Sequence, residues 1–135
     1  MHMDLKDKTH EQTEKNKSFI QSADFAITGW KTAFHDERNF RSHIATTGLA
    51  IVAGFIFKLA MYEWFWLLGS CFLVLFAELV NTAFENVVDM VTDQHFHPIG
   101  KKVKDIAAGA VLLTACFAFL IGCLIFIPKL VEWFN

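Results

Sequence analysis

From Ile106 to Ile127 no side chain carries a charge, and the run ends at Pro128-Lys129. An uninterrupted apolar stretch of about 20 residues is what a helix needs to cross a bilayer. Two further runs have this character. One begins at Trp64, stays uncharged to Ala77, and must continue past Glu78 toward Phe84 to reach the same length. The other runs from Ile44 to Tyr62, broken only by Lys58, whose long stem can snorkel from near the end of the span. A soluble domain of 135 residues that is 54% hydrophobic, with 15 Phe and 4 Trp, has too little interior to hide so much apolar surface. The expected fold class is therefore an all-α integral membrane protein, with transmembrane helices over 44–62, 64–91 and 104–128. A formal net charge of −2 gives no electrostatic case for a nucleic-acid partner. Cys71, Cys116 and Cys123 lie inside apolar runs without metal-ligand spacing and read as small buried apolar residues.

Ahead of the spans the pattern is different. Residues 1–17 alternate charge with little hydrophobicity and have no apolar core of the kind a cleavable signal peptide needs. They are expected to form a disordered polar tail on a single membrane domain, 18–135. Over 18–36, Phe19, Ala23, Ile27, Trp30 and Phe34 recur at helical spacing among polar residues. That is an amphipathic helix too polar to span and suited to lie at the interface. Lys6, Lys8, Lys15, Lys17, Lys31, Arg38 and Arg41 precede the first span, and Lys101, Lys102 and Lys104 lie between the second and third. Only Lys58 and Lys129 fall on the other side. The positive-inside rule then puts the N-terminus and the 92–105 loop in the cytoplasm of a cell whose plasma membrane the chain crosses several times. Small residues recur every fourth position at Thr46, Ala50, Gly54 and at Thr114, Ala118, Gly122, ridges that let membrane helices pack closely. Three spans enclose little volume, so a homo-oligomer would bury polar groups better than one copy.

Polar groups there are. Glu78, Asn81, Glu85 and Asp89, in FAELVNTAFENVVDMV, fall at offsets of 3, 7 and 11 and so share one narrow face of a strongly apolar helix. Ionisable groups at membrane depth are expensive and mark a site. Glu37, in HDERNFRSH, precedes the first span on the same side, and Lys101, Lys102, Lys104 and Asp105 lie where the third begins. Carboxylates hold Mg²⁺ together with substrate phosphates, and lysines suit the phosphates themselves. At 1.5 Å of rise per residue, Glu78 and Glu85 stand roughly 10 Å apart along the axis, too far to share one ion comfortably. Glu85 and Asp89 are nearer the aqueous surface, and Glu78 is deeper, placed for a general base. His95 and His97, in DQHFHP, read as part of a solvated loop, and His35 and His43 as interfacial. No GxxxxGK[ST] or GxGxxG occurs, so a nucleotide site here is neither of P-loop nor of Rossmann type. These residues alone imply a membrane enzyme or a carrier with an acidic site at the inner face.

ERNFRSH, AELVNTAFENVVDMVTD and KKVKDIAAGAVLL resemble, in order and spacing, the signature segments of the small prokaryotic diacylglycerol kinase family, over about residues 22–128. The resemblance implies three transmembrane helices and an interfacial helix assembled as a homotrimer. It also implies direct transfer of the γ-phosphate of Mg-ATP to a lipid alcohol. Glu78 then matches the family's base, Glu37 and Glu85 its metal-binding glutamates, and Asn81, Lys104 and Asp105 further residues that meet the nucleotide. Phe25 and Lys31 depart from the enterobacterial pattern, so no nucleotide contact is carried over to that helix. The ENVVD wording and AAGA look more like the Gram-positive branch, which acts as undecaprenol kinase, with diacylglycerol as the alternative acceptor. A non-enzymatic ion or proton carrier using Glu78 and Glu85 is the rival from another class. It would need titratable groups across the whole bilayer, yet none lies between Trp64 and Leu75.

Overall fold

The structure, a computed structural model, describes residues 19–135. The polar tail expected over 1–17 lies outside the described residues. Four helices make up nearly all of the described chain: α1 (Phe19–Asp36), α2 (Arg38–Ile56), α3 (Met61–Thr92) and α4 (Pro98–Phe134). The described residues fall into two units that divide between Thr32 and Ala33. In the first, the described part of α1 carries Phe19, Phe25, Ile27 and Trp30 as exposed apolar side chains. The Thr32 hydroxyl donates back to the Thr28 carbonyl at 3.0 Å.

In the second unit α3 is the shared element, packed along α4 and against α2. α3 has 32 residues and α4 has 37, so they measure about 48 and 55 Å. Both are long and apolar enough to cross a membrane. α2 is not among the helices that qualify. Its first residues, Arg38 to His43, are polar apart from the buried Phe40, and the continuous apolar part begins only at Ile44. The apolar run of the sequence continues to Tyr62, but the helix does not. It closes at Ile56, where Lys58 N–H donates to Phe55 O at 3.2 Å and Leu59 N–H to Gly54 O at 3.1 Å. These are the two bonds of a Schellman cap. Lys58 takes the left-handed position at φ 50° that glycine usually fills. Leu59 is then buried with Leu67, Ile121 and Ile125 in the apolar core. α3 starts at once, with Glu63 Oε2 accepting the Ala60 N–H at 2.7 Å, the back-reaching half of a capping box.

Gly54 lies under the Trp64 ring: a Cβ there would stand 2.6 Å from Cη2. One member of the small-residue ridge in α2 is thus consumed within the chain. The others, Thr46 and Ala50, face Ala118 and Gly122 of α4 across a groove of about 490 Å³ floored by Leu67, Ser70 and Val74 of α3.

α4 does not stop at Pro128, where the sequence implied an end; it runs on to Phe134. Proline removes one N–H and strains the preceding turn, and contacts beyond it offset that loss. Lys129 ion-pairs with Glu63 at 3.0 Å, with side chains only 22% and 13% exposed. Trp133 meets Phe57 edge-on at 5.8 Å, and Phe57 also meets Phe126 at 5.9 Å. Away from this end, Phe72, Phe76, Leu112, Leu113 and Phe119 are exposed, an outer surface made for lipid or other apolar partners.

Candidate active site

The expected site residues lie toward the opposite end, where α2 begins and α3 hands over to α4. Glu37 sits between α1 and α2 in extended backbone (φ −102°, ψ 112°), and its side chain makes no capping bond. That leaves its carboxylate available to a ligand. The junction is fixed from α2: Arg41 Nη1 donates to the carbonyls of Phe34 at 2.9 Å and His35 at 2.6 Å. These would otherwise be orphaned at a helix end.

The face of α3 predicted to be polar is turned inward. Glu78 is 2% exposed, Asn81 8% and Thr82 9%, while Glu85 and Asp89 are half-buried. Glu78 lies within electrostatic reach of Glu37, Glu85 and His43. The structure therefore brings the three expected glutamates to one locality and adds His43, which also borders the apolar groove. The sequence places His43 at the interface and does not connect it to the stripe, because the proximity arises between α2 and α3. Asn81 Nδ2 donates to Glu85 Oε1 at 3.0 Å, which uses one carboxylate oxygen and leaves the other open. Asn81 Oδ1 is buried without a hydrogen-bond partner. Such an atom costs about 1–3 kcal/mol unless a ligand or water supplies a donor or a cation.

Across the α3–α4 seam, Lys104 Nζ donates to Asp89 Oδ1 at 2.6 Å. Asp105 does not turn to the stripe; it pairs along its own helix with Lys101. The loop between these helices is ordered by backbone and side-chain bonds. Asp93 and Gln94 take φ of 49° and 59°, and Gln94 N–H donates to Asp89 O at 2.9 Å. His97 is the N-cap of α4: Nδ1 accepts from Ile99 N–H at 3.2 Å and Gly100 N–H at 3.4 Å, with Pro98 in the first turn. The sequence signal for that cap was the His-Pro pair ahead of a helical run.

Among the described residues, no group of three or more His, Cys, Asp or Glu gathers to hold a metal ion. The residues nevertheless fit Mg²⁺. The donors are all hard oxygens, Glu85 keeps one open, and the orphaned Asn81 Oδ1 lies beside it. Magnesium takes one or two carboxylates and fills its other positions with water and substrate phosphates.

The profile of the family described as prokaryotic diacylglycerol kinase matches residues 24–126. The undecaprenol kinase of Bacillus subtilis is 43% identical over 131 residues, covering 95% of this chain and 100% of that protein. A diacylglycerol kinase of Synechocystis is 40% identical over 116 residues, covering 85% of this chain and 66% of that one. The diacylglycerol kinase of Escherichia coli is 27% identical, covering 78% and 86%. The match takes in every residue of the acidic stripe and the seam lysine, and the chain belongs to the prokaryotic diacylglycerol kinase family, a group of lipid kinases that phosphorylate an alcohol.

Proposed function

We propose that the protein transfers the γ-phosphate of ATP to the hydroxyl of undecaprenol at the cytoplasmic face of the bacterial plasma membrane. The observation that carries this reading is the inward-turned stripe itself: buried Glu78 and Asn81 and half-buried Glu85 aligned on one face, with an unpartnered amide oxygen among them. The 43% identity to an undecaprenol kinase over nearly the whole chain favours the polyprenol acceptor. Diacylglycerol is the second reading, favoured by the Synechocystis relative.

In this mechanism the apolar tail of the acceptor stays in the bilayer and only its hydroxyl reaches Glu78. Glu78 accepts the hydroxyl proton as the oxygen attacks the γ-phosphorus. The bond from phosphorus to the β–γ bridging oxygen breaks, and ADP leaves. Glu37 and Glu85 would hold Mg²⁺, and Asn81 Oδ1 would offer a further oxygen donor. When bound, that ion neutralises the charge developing on the phosphate oxygens. Lys104 reaches the phosphates from α4, and Asp105 meets the nucleotide beside it. Phosphoryl transfer asks for positioning and charge neutralisation more than covalent chemistry, which suits a site of two carboxylates, an amide and an ammonium.

The membrane arrangement belongs to the same proposal. α3 and α4 cross the bilayer, and α2 with the mostly apolar turn that carries it on to Tyr62 crosses as a third span, with the Arg38–His43 segment at the inner interface. α1 lies along that interface. The cationic excess before α2 and between α3 and α4 keeps those segments cytoplasmic, with Lys58 and Lys129 outside. Three copies assemble, covering apolar surface that one copy leaves exposed. A competition assay tests the acceptor: purified protein, Mg-ATP and equal surface concentrations of both lipids. Preference for undecaprenol supports the reading, and a tenfold preference for diacylglycerol overturns it.

A further inference from the structure

Asp89 is the member of the stripe left without a role in the transfer. Its carboxylate is engaged across the seam by Lys104 at 2.6 Å, with side chains 43% and 34% exposed respectively. The pairing joins residues fifteen apart in sequence and depends on how closely the helices approach. Gly100 allows that approach: a Cβ there would stand 2.9 Å from Val88 Cγ1. Lys104 lies one turn beyond Gly100 on the same face of α4, and Asp89 follows Val88 on α3. Asp105, the acid next to Lys104 in sequence, is taken by Lys101 and does not compete for it. Asp89 is also four residues after Glu85, one turn along the same face. An ammonium held by Asp89 is thus held within about one helical turn of the carboxylate assigned to the metal.

We propose that Asp89 is a positioning residue: it fixes the Lys104 ammonium at the α3–α4 seam, level with the phosphate end of the nucleotide, and does not touch substrate. A lysine side chain on a flexible four-carbon stem loses rotamer freedom whenever it engages a phosphate. A carboxylate that has already ordered it removes that cost before ATP arrives. The inference rests on the assignment of Lys104 to the phosphates, so its test must separate the two.

The test is steady-state kinetics of Asp89→Asn, Asp89→Glu, Lys104→Met and the double variant Asp89→Asn/Lys104→Met, with ATP and lipid varied independently. For Asp89→Asn, KM for ATP should rise roughly 2- to 10-fold, the cost of ordering one long side chain, with KM for lipid unchanged. Asp89→Glu should restore most of the loss. In the Lys104→Met background, Asp89→Asn should have no further effect, because no ammonium is left to place. A fall in kcat with both KM values unchanged marks a merely structural tie and overturns the proposal, as does a further loss in the double variant. If Lys104→Met itself leaves KM for ATP unaltered, the phosphate assignment of Lys104 fails. If Lys104→Met raises it and Asp89→Asn does not, only the positioning role fails.

Discussion

Glu78 and Glu85 occupy one face of α3 and are assigned different work, and paired substitutions separate them. Seven residues at 1.5 Å of rise put them about 10 Å apart along the axis. Glu78 is 2% exposed, whereas Glu85 is half-buried and shares one oxygen with Asn81. Glu78→Gln keeps the shape and removes the group that accepts the hydroxyl proton. Turnover should fall by about 10²–10⁴-fold, the usual size of a general-base contribution, with nucleotide affinity nearly intact. Glu85→Gln keeps an oxygen able to accept from Asn81 Nδ2, so the internal hydrogen bond survives, but it removes charge from the metal position. Transfer should be abolished and Mg-ATP binding weakened. Neither change should unfold the protein, since a buried neutral amide costs less than a buried carboxylate. ADP release coupled to absorbance measures turnover, titration with a fluorescent ATP analogue measures affinity, and gel filtration in detergent checks the assembly. Loss of nucleotide binding in Glu78→Gln as severe as in Glu85→Gln would refute the division of labour by depth.

Two further outcomes test the frame that holds the site. Gly54→Ala places a methyl group 2.6 Å from the Trp64 ring and should destabilise by about 1–3 kcal/mol, the range for overpacking; thermal unfolding in detergent measures it, and an unchanged midpoint would show that Trp64 can move aside. His97→Ala removes the side-chain acceptor for Ile99 and Gly100 N–H and should cost about 0.5–2 kcal/mol, read as faster amide exchange in the first turn of α4; His97→Asn should restore most of it.

The sequence made the long-range plan legible where one physical rule dominated. Charge-free runs marked α3 and α4, and the offsets of 3, 7 and 11 marked the face that Glu78 and Asn81 turn inward. Hydropathy failed at helix ends because it measures apolarity and not backbone bonding. The run through Tyr62 is broken by a Schellman cap with Lys58 at φ 50°, a position where a lysine gives no glycine signal. The run ending at Pro128 continues because the Lys129–Glu63 ion pair and the Trp133–Phe57 contact hold the turns beyond it.

The pairs that tie the site together were hidden for another reason. Asp89 and Lys104 are bonded from different helices, and Glu78 on α3 lies within electrostatic reach of Glu37 and His43 where α2 begins; one sequence contains no term for the distance between helices. What sets that distance is small: no Cβ at Gly100, which lets α4 close on Val88, and none at Gly54, which lets Trp64 lie against α2. In sequence Gly54 looked like one more small residue in an apolar run, and Gly100 stood unmarked between Ile99 and Lys101-Lys102. In the structure Gly100 sets the α3–α4 spacing at which an ammonium meets a carboxylate, and Gly54 sets how closely α2 lies on α3 at the far end. The geometry of the candidate site therefore depends on a hydrogen atom at Gly100 where a side chain would otherwise be, at a position whose own chemistry is inert.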